Sequence, residues 1–397
     1  MARSIPALVQ PSLLVWARET AGFRIEDVAK KAQVELETVR EWERGAQNPS
    51  IAQLRRLGAV YKRPLGVFFL QEPPKGFDPQ REFRRLPGLS PERESSELRL
   101  ALRMALFRRQ AALELYDRLG EELPTLHTAA HPDEDPEVVA QRIRQELNVP
   151  WKKQLEWSTP YTALNAWREA IEQLGVLVFQ TGGVELSEMR GTSIPHGPVP
   201  VVLLNNNDAP HGRIFTLLHE FVHILLANGG HRTSAMEGER LAEEQALERT
   251  SNQFTAATLM PQKEFLDEVS NVPGVLSGND DALRRLANRV KVSPEAIFRR
   301  LLSLHRVSAS LYRMKRNRWQ EQSWFTPPQG EGGPPIQVKV VSAVGRSFVS
   351  LVLQGYHRNL VSSADVSDYL GTQLKYLDKI AGELRTKPGT PAYSSEL

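Results

Sequence analysis

His219, Glu220 and His223 stand in the spacing His-Glu-x-x-His, inside the run RIFTLLHEFVHILLAN at Arg213–Asn228. The run has helical apolar periodicity, and residues four apart on a helix differ by only ~40° in azimuth, so both imidazoles leave one face. Glu220, one step on, reaches the rim of the same site. Two neutral imidazoles suit a divalent zinc ion, and an adjacent carboxylate is placed to take a proton from water bound there. The surrounding positions, Leu217, Leu218, Phe221, Val222 and Leu225 among them, are apolar, so the helix is expected to be largely buried. Burying two histidines and a glutamate side by side requires compensation for their lost hydration, and a metal supplies it.

A zinc site needs a third protein ligand and keeps its fourth position for water. Asn228-Gly229-Gly230 lets the chain turn back. The helix that follows, EGERLAEEQALERTSNQFTAATLMP, offers Glu237, Glu239, Glu243, Glu244 and Glu248. Glu248 lies beside Leu247 and Ser251, on the side that turns buried, whereas Glu243 and Glu244 sit in the more solvated half. Spacing alone leaves the third ligand open, since most such residues belong to a solvated helix face. Upstream, Val176–Phe179 and Val199–Leu204 read as short strands separated by a Gly/Ser/Pro-rich loop. The second is either an edge strand on which an extended peptide adds by backbone pairing or a plain core strand. His211 and His231 flank the motif and are expected at the surface.

Composition bounds the remainder. The chain has 397 residues, 41% hydrophobic and 24% charged, with net charge +3 and pI near 9.0. Those are values of an ordinary soluble protein of two or three domains. Cysteine is absent, which excludes disulfides, thiolate nucleophiles and Cys-based zinc sites, so any metal is held by His and carboxylates. No apolar run approaches the ~20 residues of a membrane span, and the first residues lack the layout of a signal peptide. A cytoplasmic protein without a membrane partner is the expectation. The fold expected is mainly α with a small β-sheet. Residues 1–75 form a helical domain, 76–159 a helical connecting region, 160–326 an α+β domain (of zincin-like metallopeptidase type, as the resemblance given next implies), 336–384 a small helical unit and 385–397 a disordered tail. Linkers are read at Pro73–Gly76 and Pro327–Pro335, and basic clusters at Arg84–Leu86 and Arg103–Gln110.

In their order, several pieces resemble the ImmA/IrrE-type zinc metallopeptidases: MRGTSI at Met189–Ile194, VPVVLLNN at Val199–Asn206, IFTLLHEFVH at Ile214–His223 and ERTSNQFTAATLMP at Glu248–Pro261. The resemblance runs from about Pro160 to Lys315. It implies a peptidase with one Zn2+ held by His219, His223 and Glu248, with Glu220 as general base. Thr250, Ser251 and Thr255 depart from the family's common residues, none of them at a ligand position.

Residues 11–70 resemble the Xre-type helix-turn-helix of phage repressors, through Val28-Ala29, a turn at Val34, Thr38-Val39, Trp42-Glu43-Arg44-Gly45 and Pro49-Ser50-Ile51. The recognition helix would present Glu35, Glu37, Thr38, Arg40, Glu41 and Arg44. Thr38, Arg40 and Arg44 are the expected DNA contacts. Four glutamates, counting Glu43, suit a phosphate backbone poorly, and Ile25 replaces a Gln that commonly anchors a phosphate, so a protein-docking role stays open. The segment SADVSDYLGTQLKYLDKI, turning at Gly371, is either a degenerate helix-turn-helix or a packing module.

The resemblances together imply a zinc-dependent metalloendopeptidase, stimulated by DNA, that cleaves a regulatory protein, such as a transcriptional repressor, in a stress or mobile-element response. The alternative is a DNA-binding regulator or antitoxin-like protein whose peptidase-like domain only senses; such a domain would not need Glu220.

Overall fold

Chain breaks of defined conformation delimit the N-terminal helices. Gln33, Gly45 and Lys62 take left-handed backbone and close α2 (Ile25–Ala32), α3 (Leu36–Arg44) and α4 (Ile51–Tyr61), while Gly22 does so just beyond α1 (Pro11–Thr20). Ser50 opens α4 with a reciprocal box to Gln53, satisfying two backbone donors at the helix start. One stripe from each helix meets in a core of Leu14, Val28, Val39, Trp42, Leu54 and Tyr61, each at most 2% exposed. The computed structural model describes residues 6–74, 95–230, 237–321 and 333–385, apart from the side chains of 237–241 and 320–321. The Arg84–Leu86 cluster, His231, and the side chains of Glu237 and Glu239 lie outside these, as do residues 75–76, 327–332 and 386–397 of the expected linkers and tail.

Contacts group the chain into two compact units, Met1–Leu106 and Phe107–Leu397, and α5 (Ser96–Leu119) runs across the division. In the second unit, α6 (Pro136–Glu146), α7 (Trp151–Glu156) and α8 (Pro160–Gln173) precede a three-stranded sheet. The sheet is formed by β1 (Leu177–Thr181), β2 (Gly191–Ile194) and β3 (Val201–Asn205) in the order β1-β3-β2. β3 pairs parallel with β1 and antiparallel with β2. The edge-strand reading of Val199–Leu204 is therefore wrong. β3 is the central strand with all five residues buried, and apolar side chains on both faces mark a strand covered on both sides.

Helices α9 (Pro210–Asn228), α10 (Glu237–Leu259), α11 (Gln262–Ser270), α12 (Asp280–Val290), α13 (Pro294–Ser303) and α14 (Ala309–Glu321) follow. α9 packs on β2, β3, α8 and α10, which puts it at the centre of the unit. Thirty or more apolar side chains from these helices and strands form one continuous core, Trp167, Phe221, Phe254 and Phe265 among the largest.

The last helices are α15 (Ile336–Val344), α16 (Arg346–His357), α17 (Ser363–Leu370) and α18 (Leu377–Arg385). α15 packs on β1 and α16 on α8. A buried polar knot fastens them. Arg168 donates Nε–H to Glu172 Oε1 at 2.8 Å and its Nη groups to the carbonyls of Val178 and Ser342. Glu172 Oε2 in turn accepts the backbone N–H of Ser347 at 3.1 Å. Residues 336–385 thus pack against α8 and β1 of the second unit. Among the described residues no single helix is long and apolar enough to cross a membrane. Among those residues only α15 and α16 taken together reach that length and apolarity, and they are bent by 104° with most of their apolar side chains buried.

Candidate metal centre

Helix α9 is apolar on nearly every side except where its two histidines emerge. Ile214, Leu217, Leu218, Phe221, Val222 and Leu225 are fully buried, while His219 and Glu220 are half-buried and His223 is 5% exposed. Phe215 stacks on the His219 ring, centroids 6.2 Å apart at 22°, which fixes the ring plane from one turn upstream. The two imidazoles meet edge to face with their Nε2 atoms 3.1 Å apart. Helix α10, packed on α9, brings Glu248 to the same point. Its Oε2 lies 3.2 Å from His219 Nε2 and its Oε1 3.2 Å from His223 Nε2.

These donors lie within 4.8 Å of one another and could hold a metal ion. Ligands at 2.0–2.2 Å around a tetrahedral zinc stand about 3.3 Å apart, so the triad needs to open by only a few tenths of an ångström. The electrostatics agree with the chemistry of a cation site. Hydrogen bonds from His219 and His223 hold the Glu248 carboxyl far below the usual carboxylate range, against its partial burial. Burial pushes His223 down, but the hydrogen bond to Glu248 and the charges of Glu220 and Glu248 outweigh it and raise the imidazole. Positive charge is thus favoured between the two rings and the carboxylates. Of the other candidate ligands, Glu243 and Glu244 are half-buried and stand outside the cluster.

Glu220 is not among the three clustered donors. Its Oε2 accepts the hydroxyl of Ser193, on β2, at 2.7 Å. Sequence reasoning missed Ser193, because a serine in a Gly/Pro-rich stretch carries no spacing signal. What brings it in is Gly191, two residues earlier on the same face. A Cβ at Gly191 would stand 2.4 Å from Thr216 Cγ2, so only glycine lets β2 approach α9 this closely. His211, expected at the surface, is half-buried instead. It lies two turns before His219, about 12 Å along the axis, and is no ligand of this cluster. Burial, with a smaller contribution from Lys291, pushes its pKa down to about 4.

On α3, Arg40 and Arg44 are exposed as expected, while Thr38 and Glu41 are half-buried rather than exposed because they lie nearer the packed flank of the helix. Glu37 pairs with both arginines, at 3.4 Å to Arg40 and 2.5 Å to Arg44. Glu43 does not face outward with them. It is bound to Arg18 of α1 at 2.8 Å and is 10% exposed, so it joins two helices and should not be counted against a phosphate-facing surface.

Residues 171–302 match the family model of the IrrE N-terminal-like domain, peptidase family M78, and residues 14–68 match a helix-turn-helix model. No curated protein matches the chain. The first match spans β1 to α13 and contains the His219, His223 and Glu248 cluster; the second spans α1 to α4 and contains α3. The chain therefore joins a DNA-binding type of helix-turn-helix domain to an IrrE N-terminal-like, M78-type metallopeptidase-like domain.

Proposed function

We propose that this protein is a zinc-dependent endopeptidase acting on a regulatory protein, a transcriptional repressor in the first instance, in a stress or mobile-element response. The observation that carries the reading is the His219, His223 and Glu248 triad, whose donor spacing suits a tetrahedral ion, with Glu220 beside it and held out of the cluster. Bound by these three, a zinc ion would supply Lewis acidity for water and for a substrate carbonyl. Glu220 takes the proton that the attacking water gives up and returns it to the leaving amine. Thr38, Arg40 and Arg44 of the helix-turn-helix meet DNA, and DNA that carries both enzyme and repressor raises their effective concentration with no new contact at the active site.

The test is cleavage of casein and of candidate repressors by the full-length protein, with and without a chelator, alongside metal analysis. Glu220→Gln should keep its zinc and lose proteolysis, whereas His219→Ala should lose the zinc. Zinc loss in Glu220→Gln would make that residue a ligand and sink the assignment of roles. Unimpaired cleavage after complete metal removal would reject the metallopeptidase reading.

A further inference from the structure

We infer that Ser193 is a positioning residue for Glu220, fixing one carboxylate oxygen so that the other is presented to water and to the scissile bond. The inference rests on the peptidase reading above. Ser193 is 1% exposed and has one proton to donate, and that proton goes to Glu220 Oε2 at 2.7 Å. Its strand delivers it there by register. β2 pairs Ser193 with Val202 and Gly191 with Leu204, and alternation along a strand puts Gly191 and Ser193 on one face. That face is turned to α9, since a side chain at Gly191 would strike Thr216, one helical turn before Glu220. Gly191 over Thr216 and Ser193 on Glu220 are thus successive contacts of one strand with one helix face.

Among the described residues no Lys or Arg side chain pairs with Glu220, and the Ser193 hydroxyl is the donor that orients it. It restrains Glu220 from swinging towards His219 and His223, where a fourth protein ligand would close the position that a catalytic zinc site keeps open.

The experiment uses the full-length, zinc-loaded protein and a peptide that the wild type cleaves. Ser193→Ala should lower kcat about tenfold or more, the loss of one hydrogen bond to a charged group, with KM and zinc content unchanged. Ser193→Thr, which keeps the hydroxyl, should restore most of the rate. A Ser193→Ala rate within twofold of wild type, a Ser193→Thr rate no better than that of Ser193→Ala, or a loss that tracks zinc release would each overturn the inference while leaving the peptidase reading intact. A wild type that holds zinc and cleaves no peptide removes both.

Discussion

Replacing Gly191 by alanine should push β2 off α9, and trimming Thr216 to serine should bring it back. The Cβ added at Gly191 meets Thr216 Cγ2 at 2.4 Å, Leu203 O at 3.2 Å and Leu204 Cδ2 at 3.3 Å. Carbon atoms in contact settle at roughly 3.5–4.0 Å, so the strand or the helix must yield by about 1 Å. Gly191 is not among the glycines with positive φ, so alanine strains no backbone there and the effect is one of space alone. Thr216 is 9% exposed and has little room to turn away. Overpacking of this kind costs about 1–3 kcal/mol of stability. A shift of ~1 Å beside a reacting centre costs on the order of a hundredfold in rate. Thr216→Ser deletes Cγ2, the worst of the three contacts, and leaves two that need only a few tenths of an ångström. The double variant should therefore recover most of both losses, although Thr216→Ser alone removes a buried methyl and costs roughly 0.5–1.5 kcal/mol. Urea denaturation gives the stability and peptide cleavage the rate. If the two substitutions add their losses instead of compensating, Gly191 does not serve the approach of β2 to α9, and the account of how Ser193 reaches Glu220 fails with it.

Two further outcomes follow from other parts of the molecule. Glu37→Gln releases Arg40 and Arg44 from their shared acidic partner, so full-length protein should bind duplex DNA more tightly and with a steeper salt dependence, and Arg44→Ala should weaken it; gel shifts at two salt concentrations decide, and no binding by any of the three at low salt would make α3 a protein-docking surface. His211 is held neutral, its pKa pushed from an ordinary 6.5 to about 4 by burial. Its contribution to stability is complete above pH 6.5 and is lost as pH falls towards 4, at up to about 1.4 kcal/mol per pH unit. His211→Gln should flatten that slope in denaturation curves between pH 7 and 4.5, and an identical slope in both proteins would show that the imidazole is not buried neutral.

What was legible in the sequence is what is encoded locally. The His-Glu-x-x-His spacing sets three side chains on adjoining faces of one helix whatever the fold around it, so His219, Glu220 and His223 stand together in the structure as they do on a helical wheel. The helix breaks of the first unit are equally local. Gly45 ends α3, Ser50 caps α4, and α2 spans Ile25–Ala32 as its pattern implies. Glu248 is one of five glutamates on its helix; its buried-side position favours it, the ordered resemblance singles it out, and the packing of α10 on α9 brings it against both histidines. The partners across helices were not legible. Glu43 counts as a surface acid on α3 by position, and only the packing of α1 shows Arg18 lying against it.

Strand order is the least local property of the fold, and there the sequence leaves two readings open. Val201–Asn205 is more apolar than any neighbour, and its four consecutive apolar residues suit an edge that receives a peptide as well as they suit a centre. The four residues GTSI of β2 are too few and too polar to show alternation, so the strand that takes the edge was invisible. The consequence is chemical as well as topological. β3 has strands hydrogen-bonded on both sides and no backbone left to offer a substrate, while β1, at the opposite edge, gives the Val178 carbonyl to Arg168 and is packed by α15. An extended peptide that adds to this sheet beside the metal triad has β2 as its partner. On the peptidase reading proposed above it would lie next to the strand whose Ser193 holds Glu220, so one strand would both set the register of the substrate backbone and orient the proposed base.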